Sequence, residues 1–403
     1  MIKDKLMGKY IRLDEKNKML EKAKNINSIS IVLYIFQYGL LIWATYLVKS
    51  QWPVMLCTTL IVVIQLFYNR YALCFDVKLY LFALIVAIMV ICKLVFFRAN
   101  SVDYTFAISF FTIGGSGLII AGFPFCTKKF IEYGQIVAKI NFAILVLDPI
   151  LDLYKGGYMK FGYAMVPTTV FLLTCMDKQL RGKHYVIDFI IMLVSAFEVF
   201  VYGARGCLVV ILLIYLCYFC FMLKGHFKLK VAIVALVAVV FSFAVEILTF
   251  MKSILESRGI SSYAITKYIR AFEEGLESTA SGRDIIYQKA IDIMMDNPLF
   301  GSSLSSASVG SNITYYHNIF LQIGCDFGVI VLIAFCIFLV WTFVKTIKYK
   351  NIKVQFCYFS IFCIAFGRLL LSSTYWQRPE FWIFMSICIS GYLWNGDKQH
   401  NEH

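Results

Sequence analysis

The sequence predicts an all-α polytopic integral membrane protein of about twelve transmembrane helices. Three observations carry that reading. Of the 403 residues, 60% are apolar and 15% charged, against about 45–50% and about 25% in a soluble domain. Polar side chains are too few to cover a water-facing surface, and the composition also excludes a disordered, collagenous or disulfide-stapled chain. The apolar residues gather in runs of about 20, the length that crosses the hydrocarbon core. Lys and Arg are dense in alternate segments between these runs, as the positive-inside rule requires.

The runs fall at 28–48, 52–69, 77–97, 104–123, 135–153, 158–176, 185–203, 206–223, 230–250, 317–344, 352–372 and 379–395. Lipid offers no partner to an open backbone group, so each is expected to close as a helix. The first begins near Ser28, lacks a small-residue cleavage site and is long enough to span, so it reads as a helix rather than a removed leader. With a cytoplasmic N-terminus, 24 of the 38 Lys and Arg lie inside and 14 outside. Six of the outer group sit in the long segment 251–316, where the rule has no force. An even number of spans returns the C-terminus to the cytoplasm. The expected organisation is a basic cytoplasmic arm at 1–27, helices one to nine over 28–250, an extracytoplasmic loop at 251–316, helices ten to twelve over 317–395 and a cytoplasmic tail at 396–403. Within the arm, the spacing of Leu6, Tyr10 and Leu13 fits an interfacial helix.

Net charge is +14, but it follows the cytoplasmic segments and faces anionic lipid headgroups, so no nucleic-acid partner is expected. The thirteen cysteines are scattered. The one CxxC pair, Cys217 and Cys220, lies inside an apolar run, where cysteine serves as a small packing residue. Gly114-Gly-Ser-Gly117 lies in the fourth run and reads as a close helix contact.

Position then filters the candidates for chemistry. Of five histidines only His317 falls on the outer side. In the long loop, Ser281-Gly-Arg-Asp284 reads as a capping box opening an amphipathic helix that stops at Pro298. Arg283 in its first turn is either an anion site at a helix N-terminus or a surface arginine paired with an acid. Arg205 lies in the hairpin Tyr202-Gly-Ala-Arg-Gly206 between two apolar runs, a costly place for a charge and therefore functional by default. Lys93 with Arg98 forms a similar outward pair. Glu198, about two turns before Arg205, reads as the partner of an arginine, while Asp148, Asp152 and Glu246 lie near outer helix ends.

Three pieces follow in order: Gly203-Ala-Arg-Gly206; Ser281-Gly-Arg-Asp284 with Asn297-Pro-Leu-Phe-Gly301; and Tyr316-His-Asn-Ile-Phe-Leu-Gln322 with Asp326-Phe-Gly328. Over roughly residues 200–330 this resembles the O-antigen polymerase and O-antigen ligase family of bacterial surface-polysaccharide enzymes. The resemblance implies a GT-C-like architecture in the bacterial inner membrane. It implies glycan transfer from an undecaprenyl-diphosphate carrier to an acceptor hydroxyl, without metal or other cofactor. By position it gives Arg205, Arg283 and His317 the catalytic roles, and places Tyr316, Asn318 and Asp326 with the two arginines at the substrate. It implies as partners the lipid-linked oligosaccharide, the bilayer, a chain-length regulator and a flippase. The sequence departs from the family at Ala204, where serine is common, and at Ser302-Ser303-Leu304, where a second glycine is frequent.

The chemistry is coherent on its own terms. Glycosyl transfer needs a stabilised diphosphate leaving group and an activated hydroxyl. Arginine forks bind phosphate in bidentate fashion and keep their charge. A histidine held neutral by neighbouring cations is a suitable general base. Three functions stay open: a polymerase of lipid-linked repeats, making O-antigen, capsule or exopolysaccharide; a ligase to a lipid or protein acceptor; and a lipid-linked oligosaccharide flippase. A transporter predicts two related halves with site residues at the midplane. Here the polar groups gather on one outer face, which favours an enzyme.

Overall fold

The computed structural model describes residues 2–70, 76–97, 99–148, 158–223, 230–231, 234–235, 242–259, 262–275, 283–308 and 315–395, and all regular structure among them is helical. Arg98, Asp152, the Ser281-Gly282 start of the capping box, residues 232–233 and 236–241 of the 230–250 run and the tail 396–403 lie outside these residues.

Helix α1 (Ile2–Leu40) joins the basic arm to the first apolar run, so the boundary expected at residue 27 falls inside a continuous helix. No proline precedes Pro53, and nothing in the arm stops the helix. It turns by 49° into α2 (Ile42–Val48). Then come α3 (Trp52–Asn69) and α4 (Val77–Phe96), the latter capped by Asp76. Helix α5 (Ser101–Ser109) opens with a complete capping box between Asn100 and Asp103. A π turn at Phe110–Gly114 joins it to α6 (Gly115–Ala121), giving one span. Next are α7 (Thr127–Leu145), α8 (Tyr158–Leu172), α9 (Tyr185–Tyr202) and α10 (Arg205–Cys217). The chain continues through α11 (Ala244–Ser257), α12 (Tyr263–Glu273), α13 (Arg283–Asp296) and α14 (Ile319–Phe327). It ends with α15 (Val329–Lys348), α16 (Ile352–Leu369), α17 (Pro379–Ser390) and the short α18 (Tyr392–Asn395).

Among the described residues seven helices are long and apolar enough to cross a membrane, or eight with α1 and α2 as one bent span. Two shorter apolar stretches, Gly206–Met222 and Pro379–Ser390, accompany them. This is fewer than the twelve expected, for identifiable reasons. The fifth run shifts toward the N-terminus as α7, which carries Lys128, Lys129, Glu132 and Lys139. The eighth and twelfth runs are the two shorter stretches, whereas the tenth, broken at Gly328 into a nine-residue α14 and the spanning α15, still supplies a span. The ninth run lies in part, at 232–233 and 236–241, outside the described residues. The multi-pass class stands, with seven to eight candidate spans among the described residues.

Helices α8 and α16 form the centre, each span 78% buried, while α3, α4 and α15 are 17–22% buried and turn their apolar side chains outward. Lipid removes the hydrophobic drive between helices, so small residues and polar pairs bring them together. Asn27 and Asn69 exchange amide hydrogen bonds at 3.1 and 2.8 Å. Asn141 donates to the Ala164 carbonyl at 3.0 Å, and Lys139 pairs with buried Asp188 at 3.0 Å. Gly114 and Gly117 sit against Trp382, where an added Cβ would lie 3.1 and 2.9 Å from its side chain. The glycine cluster is therefore a close helix contact, as expected from its apolar setting.

Candidate active site

His317 and its neighbours gather at one end of the bundle. Two glycines fix the frame. Gly301 and Gly328 take φ of 69° and 87°, where a side chain is strained. A Cβ on Gly301 would stand 2.5 Å from the Cys325 carbonyl, and one on Gly328 2.3 Å from the Leu299 carbonyl. Val329 N–H donates to the Pro298 carbonyl at 2.7 Å and Ser302 N–H to that of Cys325 at 2.6 Å. Asn297-Pro-Leu-Phe-Gly301 and Asp326-Phe-Gly328 are thus two halves of one backbone lock. Leu299 and Phe300 at its tip are 57% and 77% exposed. Lys93 closes the lock, its ammonium donating to the Phe300 and Ser302 carbonyls at 2.5 and 2.8 Å. Asp103 accepts from the Ser305 N–H and hydroxyl at 2.7 and 2.9 Å.

The lock positions α13, whose Ile286 and Ala290 are buried against α14. Cys325 donates its thiol to the Ala290 carbonyl at 3.2 Å. The expected loop helix is present, and Arg283 is its first residue. His317 precedes α14 with φ 57°, an uncommon left-handed conformation for a residue with a side chain. Its ring lies 4.4 Å from that of Tyr315, and its Nδ1 is buried with no hydrogen-bond partner. Burial and then the charge of Arg283 hold the imidazole below its usual 6.5, against a backbone hydrogen bond to Leu371 that pulls upward. Arg283 and His317 are therefore electrostatic neighbours.

Arg205 is the first residue of α10, and its side chain lies outside the described residues. The surrounding turn is fixed tightly. An added Cβ on Gly206 would lie 2.2 Å from the Tyr163 hydroxyl, and one on Gly162 3.0 Å from the Gly203 Cα. Tyr163 and Ser372 share a hydrogen bond of 2.5 Å between their hydroxyls, and Tyr315 donates to the Ser372 carbonyl at 3.1 Å. The backbone carrying Arg205 thus packs against the segment that contacts His317. Glu198, expected to pair with an arginine, has a buried Oε2 without a partner among the described residues.

The remaining sequence candidates have internal partners. Asn318 caps α14, accepting from the Phe320 and Leu321 N–H groups at 2.9 and 3.3 Å. Buried Tyr316 shares a hydrogen bond with Ser306 at 2.8 Å. Asp326 is fully buried and accepts from Tyr375 at 2.7 Å and the Trp376 indole at 3.0 Å.

Sequence reasoning missed the segment 371–376. Leu371 meets His317, Ser372 meets Tyr163 and Tyr315, Ser373 accepts from Arg378, Thr374 accepts from Gln322 and Tyr375 and Trp376 hold Asp326. The available signal was the polar run Ser372-Ser373-Thr374 between two apolar spans. Among the described residues no three His, Cys, Asp or Glu side chains are grouped to hold a metal ion.

The arrangement defines a multi-pass helical membrane protein in which His317 and Arg283 are neighbours in a candidate site. Residues 190–336 match the family described as O-antigen ligase. The resemblance drawn from the three motifs is thereby shown, and the matched stretch contains Arg205, Arg283 and His317. None of the curated proteins compared matches the chain.

Proposed function

We propose that this chain is a metal-independent membrane glycosyltransferase that polymerises lipid-linked oligosaccharide repeats on the extracytoplasmic face. His317 beside Arg283 carries the reading, with an unpartnered imidazole nitrogen and a pKa held below its usual value. A neutral imidazole can take the proton of an acceptor sugar hydroxyl as that oxygen attacks the anomeric carbon. The bond to the carrier breaks, and the diphosphate leaves with the electron pair. Arg283 and Arg205 neutralise that charge through their forks. The proton accepted by His317 then passes to solvent. Tyr316, Asn318 and Asp326 support this site from behind, since each is occupied within the protein.

The family match supports the polymerase and ligase class, and transfer to a lipid or protein acceptor is the second reading. Polymerase is preferred because the arginines, loop and histidine suffice for it and nothing in the sequence suggests a protein-acceptor site. The test is reconstitution of the purified protein with one lipid-linked repeat unit. A ladder of products is expected, unaffected by chelator. Unextended repeats would reject polymerisation, and inhibition by chelator would reject metal-independent transfer.

A further inference from the structure

A cavity of about 360 Å³ opens beside the segment 371–376, and its wall carries Lys160, Arg368, Arg378 and Glu380 together with Tyr163. Three cations against one carboxylate leave two positive charges. The Nε of Arg368 is buried without a hydrogen-bond partner, and its guanidinium lies 4.1 Å over the Tyr163 ring. A cationic cavity with an unused donor favours an anion, because an unpaired buried charge is costly. On the topology expected from the sequence, Lys160, Arg368 and Arg378 are also outward exceptions to the positive-inside pattern, so membrane orientation does not account for them.

A second cavity of about 590 Å³ adjoins it, with Tyr38, Gln51 and Ile113 common to both walls. This neighbour is an apolar groove along α3, lined by Val54, Val62, Val63 and Ile119. Met55 and Val63 on its rim are more than half exposed, on a helix that faces outward along most of its length. The pair has the form of an amphiphile site, with a charged end inside the protein and an apolar trough open from the side.

We infer that these joined cavities hold a second lipid diphosphate, the acceptor's carrier, with its headgroup among Lys160, Arg368 and Arg378 and its first prenyl units in the α3 groove. The inference rests on the polymerase reading for the word acceptor, but the site itself does not. A diphosphate diester carries two negative charges, matching the excess in the cavity. The Tyr163–Ser372 hydrogen bond places this cavity one wall away from His317. Two carriers held on either side of that wall would bring an acceptor hydroxyl and a donor sugar to one base.

The experiment is native mass spectrometry of the purified protein titrated with undecaprenyl diphosphate, alongside inorganic diphosphate. Two bound lipids per chain are expected for the wild type and for Tyr80→Ala, an outward-facing control on α4. Arg368→Gln with Arg378→Gln should bind one, as should Arg283→Gln. Arg378→Gln alone, at the less enclosed cation, should weaken one of the two sites by about tenfold or more, as expected for a lost charge-assisted hydrogen bond. Val63→Trp should do the same from the groove. Retention of both lipids by the Arg378 and Val63 variants would overturn the proposal. So would equally tight binding of inorganic diphosphate at the cavity, which would make it a free-anion site. Two bound lipids without any polymer would leave this site standing and reject the polymerase reading, whereas polymer formation at normal rate by the double arginine variant would do the reverse.

Discussion

Tyr163 and Ser372 are joined hydroxyl to hydroxyl at 2.5 Å, and that bond is the common wall of the two polar regions. On one side Tyr163 lines the cationic cavity. On the other, Ser372 and its neighbour Leu371 meet Tyr315 and His317. The turn that carries Arg205 packs on the same tyrosine through Gly206. Residues far apart in the chain are thus tied to one short polar run between α16 and α17.

His317→Ala should abolish polymer while single lipid-linked repeats accumulate. A general base contributes typically 10²–10⁴-fold, so a loss of at least about a hundredfold in transfer rate is expected with purified protein. Long chains made at near-normal rate would remove His317 from the base role.

The pH profile should follow the imidazole. Its pKa is depressed, so His317 is neutral at pH 7 and becomes protonated only below its usual 6.5. kcat/KM should therefore fall on acidification below that value, with no acid loss near neutrality. Arg283 contributes to the depression. In Arg283→Gln the residual activity should show its acid limb moved toward higher pH, and an unmoved limb would mean that the two groups are not coupled.

Replacing either arginine by lysine should fail to restore function. Arg205→Lys and Arg283→Lys keep the charge but lose the planar fork that grips two oxygens at once. Normal chain length in either variant would count against diphosphate binding at that position.

The paired glycines predict a structural phenotype. Gly301→Ala or Gly328→Ala puts a Cβ into a left-handed residue at about 1–2 kcal/mol, before the backbone contacts below 3 Å are relieved. Each should lower the thermal midpoint and expose the 298–302 turn to protease. The double variant should cost less than the sum, because both glycines serve the same lock. Additive losses would show that they act separately.

Much of this was legible in the sequence. Long apolar runs announce membrane helices because lipid leaves the backbone no alternative. The helix from Arg283 was readable from its spacing and from Pro298. The break at Gly328 was harder, since hydropathy averages over a single glycine while backbone geometry does not. The cavity around Arg368 and Arg378 was missed for another reason. These arginines lie 163 or more residues from Arg205 along the chain, and only the packing of α8 on α16 brings their surroundings together. Tyr316 and Asp326 illustrate the converse, since their motif drew attention to them while the fold gives them internal partners.

Leu299 and Phe300 project from the lock as an oily keel, although they lie in the longest polar segment of the chain. Severed from the helices, that stretch would carry bare aromatic and aliphatic surface into water and would lose the ammonium of Lys93 that holds its carbonyls. Such a tip suits an apolar boundary better than open water, and expressing residues 251–316 as a free fragment should give aggregates instead of a miniature enzyme.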